Sequence, residues 1–450
     1  MPSPEQSIFF LTQLDPRAAI KGSRDPLGFQ PLWTSFGRKV VGNLTTVTSS
    51  LRNFTTLLLG LYFTDRALAS GNHDEGERAN LFLKFEQLAA FSRNAYHEGE
   101  DENAESPRGF RRVKRKLSEG KGRVQISSAG EHQILSSQKT YGIWGLFTVA
   151  ARQSGLVEQQ ENRLTPRAHE FVEREYLPHL SYTGSKDGAE VLRFLTKDSA
   201  FEPKGKDKRL GMALSGLLGH RVTHRERDFY TRTLVLGAED GCDYTAGRQR
   251  QLWENISEIN DAGHFEWDKP FGYEELTEVT KRADAKGQAT LAGALGAIGL
   301  MEPALAAAGS LFGFMLMRNG SSLNSVGAEV RSAWGKHVRH ISADRFEELR
   351  PAIQVQLTGD SADRVILMAR MLCKGDYEGF ARTAVEQNAE VMRARGGAPW
   401  VTVESNKLKI RLREESGGLP PAKELKRLWT NTYFINSLKS VGITVMGRHS

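Results

Sequence analysis

The sequence predicts a mainly α-helical protein of several domains, and three observations lead to this prediction. The chain has 450 residues, which is enough for two to four domains. Apolar residues recur at helical spacing in most regions, whereas residues 400–412 alternate as a β-hairpin does. Apolar residues make up 39% of the chain and charged residues 26%, proportions typical of a folded globular protein. We therefore expect packed helices with very little sheet.

The N-terminal region, residues 1–97, is predicted to be helical and contains an apolar seam over residues 40–61. The seam consists of Val40, Leu44, Val47, Leu51, Phe54, Leu58 and Leu61. The positions beside it are uncharged, so we expect this helix inside a bundle or a tight interface. Its partner is open: other helices of the same chain, or a second copy in a homo-oligomer. Ser70-Gly71-Asn72 ends the helix, and a second helical run follows over residues 81–96.

Residues 108–123, which we call the basic block, carry the densest charge in the chain. The block contains one acid, Glu119, and eight basic residues: Arg108, Arg111, Arg112, Lys114, Arg115, Lys116, Lys121 and Arg123. Its net charge of +7 equals that of the whole chain. Such density is typical of contact with a polyanion. The eight basic residues are therefore the predicted binding site for DNA or another nucleic acid, and neither a metal ion nor a cofactor is predicted.

Acidic residues and helix breakers surround the basic block. The acids directly before it are Glu98, Glu100, Asp101, Glu102 and Glu105. Whether they mask the block as an internal counter-charge stays open. Pro107 and three glycines lie within or beside the block, so residues 98–127 are predicted to form a linker or hairpin rather than a long helix.

The region after the block has an order of elements that suggests a known module. A predicted helix over residues 143–153 leads into an extended SGLVE segment, and a polar tip follows at residues 159–162. Thr165 then caps a further helix that begins with Pro166. This order resembles the second half of a bacterial winged-helix module over residues 130–173, and we assign the module to residues 128–180.

The resemblance implies a wing formed by two strands and a DNA-reading helix before it. The helix at residues 143–153 departs from this pattern, because Arg152 is its only charged residue. A helix in the major groove needs several polar or basic side chains. The basic block is therefore the better candidate for the DNA contact.

The remaining chain is predicted as a helical middle region, residues 181–317, and a helical C-terminal region, residues 318–450. The second contains the hairpin at 400–412, which turns at Ser405-Asn406. Residues 289–317 are apolar enough to raise the question of a membrane span. Glu302-Pro303 at their centre favours two buried helices joined by a turn, so no membrane segment is predicted.

Two weaker signals bear on location. The two cysteines, Cys242 and Cys373, fit a reducing compartment. The N-terminal residues lack the basic start expected of a signal peptide. Both predict a cytoplasmic protein.

A candidate metal site lies at residues 220–228. His220, His224 and Asp228 are spaced by four residues, which would place three ligands on one helical face. Arg225 and Arg227 lie among them and would repel a metal ion, so an exposed basic helix face is the preferred interpretation.

Two other patterns are ambiguous. Glu404 and Lys407, three residues apart, are expected on opposite faces of a strand, which disfavours a magnesium-dependent nuclease. Arginines alternate with aromatic residues at 225–232 and 248–253, which suits phosphate contact with base stacking or an ordinary solvated surface.

The leading hypothesis from these observations is a non-enzymatic accessory subunit of a prokaryotic assembly that acts on nucleic acid. Phage defence is a context suggested by analogy alone. Two alternatives stay open. One is a protein-interaction scaffold that binds no nucleic acid, and the other is an enzyme with an unfamiliar site near residues 220–228.

Overall fold

The computed structural model describes residues 25–97, 107–182, 186–238, 244–336, 338, 340–412 and 418–448. Helices dominate these residues, and the strands form two short antiparallel pairs. The predicted mainly α fold with a small β-hairpin is confirmed. The N-terminal residues, Cys242 and the five acids at 98–105 lie outside the described residues.

The first half of the described chain contains twelve α-helices and one strand pair. In chain order they are α1 (Gln30–Arg38), α2 (Leu51–Ala69), α3 (Arg78–Tyr96), α4 (Phe110–Glu119), β1 (Val124–Ile126), α5 (Gln138–Tyr141), α6 (Ile143–Gln153), α7 (Pro166–Phe171), α8 (Leu177–Leu180), α9 (Ala189–Thr196), β2 (Ser199–Phe201), α10 (Lys208–Leu217), α11 (His224–Tyr230) and α12 (Arg248–Asp261). Single π-helical turns, Val172–Tyr176 and Thr231–Val235, follow α7 and α11.

The second half adds helices and the hairpin. In chain order they are α13 (Tyr273–Ala285), α14 (Ala289–Met315), α15 (Leu323–Trp334), α16 (Ala343–Glu347), α17 (Arg350–Gln356), α18 (Ser361–Lys374), α19 (Tyr377–Ala394), β3 (Val401–Glu404), β4 (Lys407–Ile410) and α20 (Ile435–Met446). Short 3₁₀ turns lie at Glu75–Glu77 and Leu425–Arg427.

Two compact units divide the chain, and each is built from two separate stretches. One unit combines Val40–Pro270 with Phe434–Ser450, and the other combines Met1–Lys39 with Phe271–Tyr433. The boundaries expected near residues 97, 127, 180 and 317 do not coincide with these limits. Sequence composition marks local linkers, whereas a compact unit also contains segments that are distant in sequence.

In the unit that contains Val40–Pro270, the core forms around α2 and α3. Every residue of α2 from Leu51 to Thr64 is buried, which explains why the flanks of the apolar seam carry so little charge. Aromatic rings join α2 to its neighbours, with Phe63 and Phe85 stacked at 5.9 Å and Phe54 against Phe147 at 5.1 Å. Within this chain the seam therefore has an intrachain partner.

The predicted start of this helix at Val40 is wrong. The helix begins at Leu51, because the side chain of Ser50 accepts a hydrogen bond from the N–H of Asn53 and caps it. Residues 40–50 form turns instead. Val47 is the one seam residue with substantial exposure, 39% of its surface.

The elements expected around the winged-helix-like module form locally. The helix predicted over residues 143–153 is α6, with these same bounds. One antiparallel bridge, between Val157 and Leu164, closes the tip at residues 159–162. Thr165 caps α7 by accepting a hydrogen bond from the N–H of Ala168, as expected.

In the other unit, α14 contradicts the prediction of two helices joined by a turn. It runs unbroken from Ala289 to Met315 with Pro303 inside it. Proline removes one helical hydrogen bond, but burial of the surrounding apolar residues offsets that loss. The carboxylate of Glu302 is also fully buried and accepts hydrogen bonds from Thr430, Asn431 and Tyr433. α14 is long and apolar enough to span a membrane, and 61% of its most apolar window is buried within the protein.

The predicted hairpin is confirmed, with β3 and β4 joined at Ser405-Asn406. Both turn residues have positive φ, 49° and 61°, as a two-residue type I′ turn requires. The expectation for Glu404 and Lys407 is wrong, however. The two residues are cross-strand partners in this register, which places them on the same face. A spacing of three separates faces along one strand but not across a two-residue turn.

Candidate nucleic-acid interface

Most of the basic block forms helix α4, so the prediction of a linker or hairpin is wrong over Phe110–Glu119. The helix breakers lie at its ends. Gly109 occupies the N-cap in a left-handed conformation, with φ 74°, and Gly120 occupies the C-cap. Val113 is the buried residue of α4, and it anchors the helix to the unit that contains it. The glycines and the proline therefore delimit this helix instead of interrupting it.

The helix sorts the eight predicted site residues by exposure. Arg111, Lys114 and Arg115 are exposed and lie at positions i, i+3 and i+4, which share one helical face. Lys121 and Arg123 are exposed beyond the end of α4. The half-buried members are Arg108, Arg112 and Lys116. The structure thus places five of the eight predicted residues on α4 and the other three beside its ends.

A cleft of about 720 Å³ opens beside the first turn of α4. Arg108, Arg111 and Arg112 line one side of it. Residues at and just before the start of α2 also line it: Thr46, Val47, Ser49, Ser50 and Asn53. The cleft therefore lies where two helices begin, and their N-terminal ends add positive potential to the charge of the arginines.

Few acids in the described chain neutralise this surface. Arg115 approaches Glu119 at 3.7 Å, and both side chains are exposed. Arg123, also exposed, approaches the half-buried side chain of Glu202 at 3.7 Å. Exposed pairs at such distances contribute little, about 0–1 kcal/mol. In the part of the chain that the structure describes, no hydrogen bond or ion pair engages the side chains of Arg112 and Lys114.

Two members of the block are held by backbone oxygens. The guanidinium of Arg108 donates to the carbonyl of Tyr141 at 3.2 and 3.3 Å. Lys116 donates to the carbonyl of Glu131 at 2.5 Å. Burial lowers the pKa of Lys116, and the nearby charges of Arg112 and Arg115 lower it further.

The cleft also contains residues that the sequence interpretation missed. Val47, Ser50 and Asn53 reach it from the start of α2, 55 or more positions before Arg108. One local signal was present: Ser50 stands directly before an apolar run, as an N-cap does. Nothing local in the sequence indicates that this helix start faces the basic block.

The candidate metal site at residues 220–228 does not form. Thr223 caps α11 with a capping box, so the helix begins at His224 and His220 lies before it. His224 and Asp228 pair with each other on the surface at 3.3 Å. Among the described residues, no group of three or more His, Cys, Asp or Glu side chains is arranged to hold a metal ion.

The other two arginine–aromatic patches cannot stack on bases as they stand. Phe229, Tyr230 and Trp253 are all buried, with 7%, 0% and 4% exposure. Phe229 stacks on Phe171 with ring centres 3.8 Å apart, inside the core. These aromatic residues serve packing, which leaves the basic block as the surface that combines charge with an accessible cleft.

Arg52 is a buried residue of α2, next to the cleft residue Asn53. Its guanidinium pairs with Glu226 at 2.6 Å, and it also donates to the carbonyls of Gly219 and Arg221. Tyr176 donates to the same Glu226 carboxylate at 2.9 Å. This buried network ties α2 to α11 and holds the loop before α11 in place.

No family model matches this chain, and no curated protein or solved structure matches it either. The resemblance of residues 130–173 to winged-helix modules therefore stays a prediction.

Proposed function

We propose that this protein is a non-enzymatic, nucleic-acid-binding subunit of a larger prokaryotic assembly in the cytoplasm. The basic block supplies the contact, through phosphates of the nucleic-acid backbone. One observation carries the proposal: α4 presents Arg111, Lys114 and Arg115 on one exposed face, next to a cleft lined by Arg108 and Arg112.

The charge of this surface supports a polyanionic partner. Like charges on adjacent helical turns repel one another, and they destabilise the helix unless a partner neutralises them. Arginine side chains suit phosphate in particular, because the planar guanidinium donates two parallel hydrogen bonds to it. A phosphate backbone supplies the necessary negative charges at regular spacing.

We assign the sequence-independent contact with phosphates to α4 and not to α6. The exposed side of α6 carries Val149, 50% exposed, and Tyr141 lies just before the helix at 56% exposure. Base edges in a major groove are read by polar and basic side chains, whereas the one charged side chain of α6, Arg152, donates to Asn162. The winged-helix-like module would then contact other subunits.

The exposed apolar surface near α6 favours protein interaction as a second function. Leu146, one turn before Val149 on α6, is half-buried, and so is Trp144. Large apolar side chains that are clustered and exposed mark protein contacts more often than nucleic-acid contacts. We expect this surface to bind another subunit, which is compatible with nucleic-acid binding at α4.

A binding experiment with matched charge variants tests the proposal. The first variant replaces four cations of α4 by glutamine: Arg111, Arg112, Lys114 and Arg115. The control replaces four exposed cations of the same unit: Lys204, Lys206, Lys208 and Arg209. Both variants lose four positive charges, from different parts of the unit.

The expected result is an affinity for labelled oligonucleotides that falls about tenfold or more in the α4 variant. In the control it should fall much less. Equal losses in the two variants would show that net charge alone attracts nucleic acid. Unchanged affinity in the α4 variant would contradict the proposal.

A further inference from the structure

We propose that the cleft between the starts of α2 and α4 binds one nucleotide of a single-stranded nucleic acid. This inference rests on the proposed function and narrows its substrate class. The phosphate would bind to Arg108, Arg111 and Arg112, and the base would lie against the apolar wall of the cleft.

The size of the cleft favours a single nucleotide over a duplex. Its volume of about 720 Å³ falls in the range of pockets that enclose small molecules, about 300–1,000 Å³. Thr46, Val47, Ser49 and Ser50 line it together with the arginines. A duplex backbone needs an open surface or a protruding element, whereas a strand with unstacked bases can insert one base between two walls.

The arginines supply the phosphate contact. In the part of the chain that the structure describes, the side chain of Arg112 forms no hydrogen bond or ion pair, so its guanidinium is available to a ligand. Arg108 is held in place by the carbonyl of Tyr141 and still has further N–H donors. A positioned arginine next to an unoccupied one is suited to a bidentate contact with a phosphate group.

Apolar side chains that line the cleft suit a base. Phe110 is half-buried and lines the cleft, and the side chains of Leu135 and Val47 also reach it. Stacking on an aromatic ring is tolerant of sequence and is a common way to hold an unpaired base. Contact with a base would also explain why Val47 is exposed although the rest of the apolar seam is buried.

A substitution that fills the cleft without changing its charge tests this inference. Val47→Trp places an indole in the cleft, and Val149→Trp, on the exposed side of α6, is the matched control. The probes are a labelled single-stranded oligonucleotide and the duplex of the same sequence, in DNA and RNA versions. Ser136→Trp, at an exposed residue that lines the same cleft, replaces Val47→Trp if the latter fails to fold.

Val47→Trp should weaken single-strand binding about tenfold and leave duplex binding within about twofold of the wild type. Val149→Trp should change neither. A nucleoside monophosphate should displace the single strand from the wild type more effectively than inorganic phosphate does.

Three results would overturn the inference: unchanged single-strand affinity in Val47→Trp, tighter wild-type binding to duplex than to single strand, or equal displacement by inorganic phosphate. If the four-cation variant of α4 still loses affinity, the proposed function survives such a result. If that variant also binds normally, both proposals fail.

Discussion

The carboxylate of Glu86 accepts a hydrogen bond from the backbone N–H of Ile143, with 2.8 Å between the two heavy atoms. Ile143 is the first residue of α6, so a buried acid of α3 satisfies one of the N–H groups at the start of that helix. The second carboxylate oxygen accepts from the side chain of Gln138 at 2.9 Å. Gly142 permits this approach, because a Cβ atom there would lie 2.7 Å from both oxygens. Glu86 therefore fixes α6 against the core.

We expect Glu86 to make stability depend on pH. Burial raises the pKa of its carboxyl from 4.5 to about 7, although the hydrogen bonds from Ile143 and Gln138 lower it. Between these two values the folded protein binds more protons than the unfolded chain, so stability falls as pH rises through this window and then levels. Glu86→Gln keeps an acceptor for Ile143 and removes the titration. Thermal unfolding across about pH 5 to 8 measures this dependence. The free energy of unfolding should vary less with pH in the variant than in the wild type, by up to roughly 3 kcal/mol. Exposed Glu131→Gln is the control, and parallel profiles for wild type and Glu86→Gln would contradict the assignment.

Breaking the buried pair of Arg52 and Glu226 should strongly destabilise its unit. Arg52→Met removes the cation and leaves Glu226 buried without its partner, at a cost of about 3–5 kcal/mol. Urea unfolding measures the change. Arg174→Met, which breaks an exposed pair with Glu170 at 3.6 Å, should cost at most about 1 kcal/mol. Similar losses of stability in the two variants would show that burial of an ion pair does not determine how much the pair contributes.

The start of α4 should tolerate no side chain at Gly109. A Cβ atom there would lie 2.3 Å from the carbonyl oxygen of Ile134, and φ is +74°. Gly122 has a similar φ of +83° with no atom within 4 Å of its Cβ position. An alanine there therefore measures the backbone strain without the clash. Both alanine variants carry the backbone strain of about 1–3 kcal/mol, and Gly109→Ala adds the clash. Thermal unfolding should therefore show the larger loss for Gly109→Ala, and equal losses would exclude the close approach.

Within the unit that contains α14, Glu302 should hold residues 430–433 against that helix. Glu302→Ala leaves the donors of Thr430, Asn431 and Tyr433 without their acceptor, which should cost about 3 kcal/mol or more. Limited proteolysis should then cleave near these residues faster than in the wild type. Glu278→Ala, which breaks a pair with Arg282 within one helix, serves as control and should change neither readout appreciably. Proteolysis at the wild-type rate in Glu302→Ala would argue against this role.

Local signals in the sequence predicted several elements correctly. The bounds of α6, the Thr165 cap and the turn at Ser405-Asn406 depend on neighbouring residues alone, and the structure has all three. The same kind of signal at Ser50 would have placed the start of α2, but the continuous apolar spacing from Val40 obscured it.

The wrong predictions have tertiary causes. Pro303 stays inside α14 because the helix is buried around it, from Met301 to Ala308, which no local rule shows. Glu404 and Lys407 share a face because the chain reverses between them.

The candidate site was predictable in part. The charge of residues 108–123 is visible in the sequence, whereas the cleft is not, because its lining comes from three separate segments that begin near residues 46, 107 and 134. Glu86 gave no signal either, since its role depends on contact with Ile143, 57 positions later.

The salt dependence of nucleic-acid binding tests the central claim most directly. The logarithm of the binding constant should fall linearly with the logarithm of salt concentration, and its slope counts the phosphates neutralised. Glutamine at Arg111, Arg112, Lys114 and Arg115 should reduce the slope by about 3, because four phosphate contacts are lost at about 0.7–0.9 each. The control variant at residues 204–209 should keep the wild-type slope. A slope unchanged by the four substitutions in α4 would contradict the assignment of the basic block as the nucleic-acid contact.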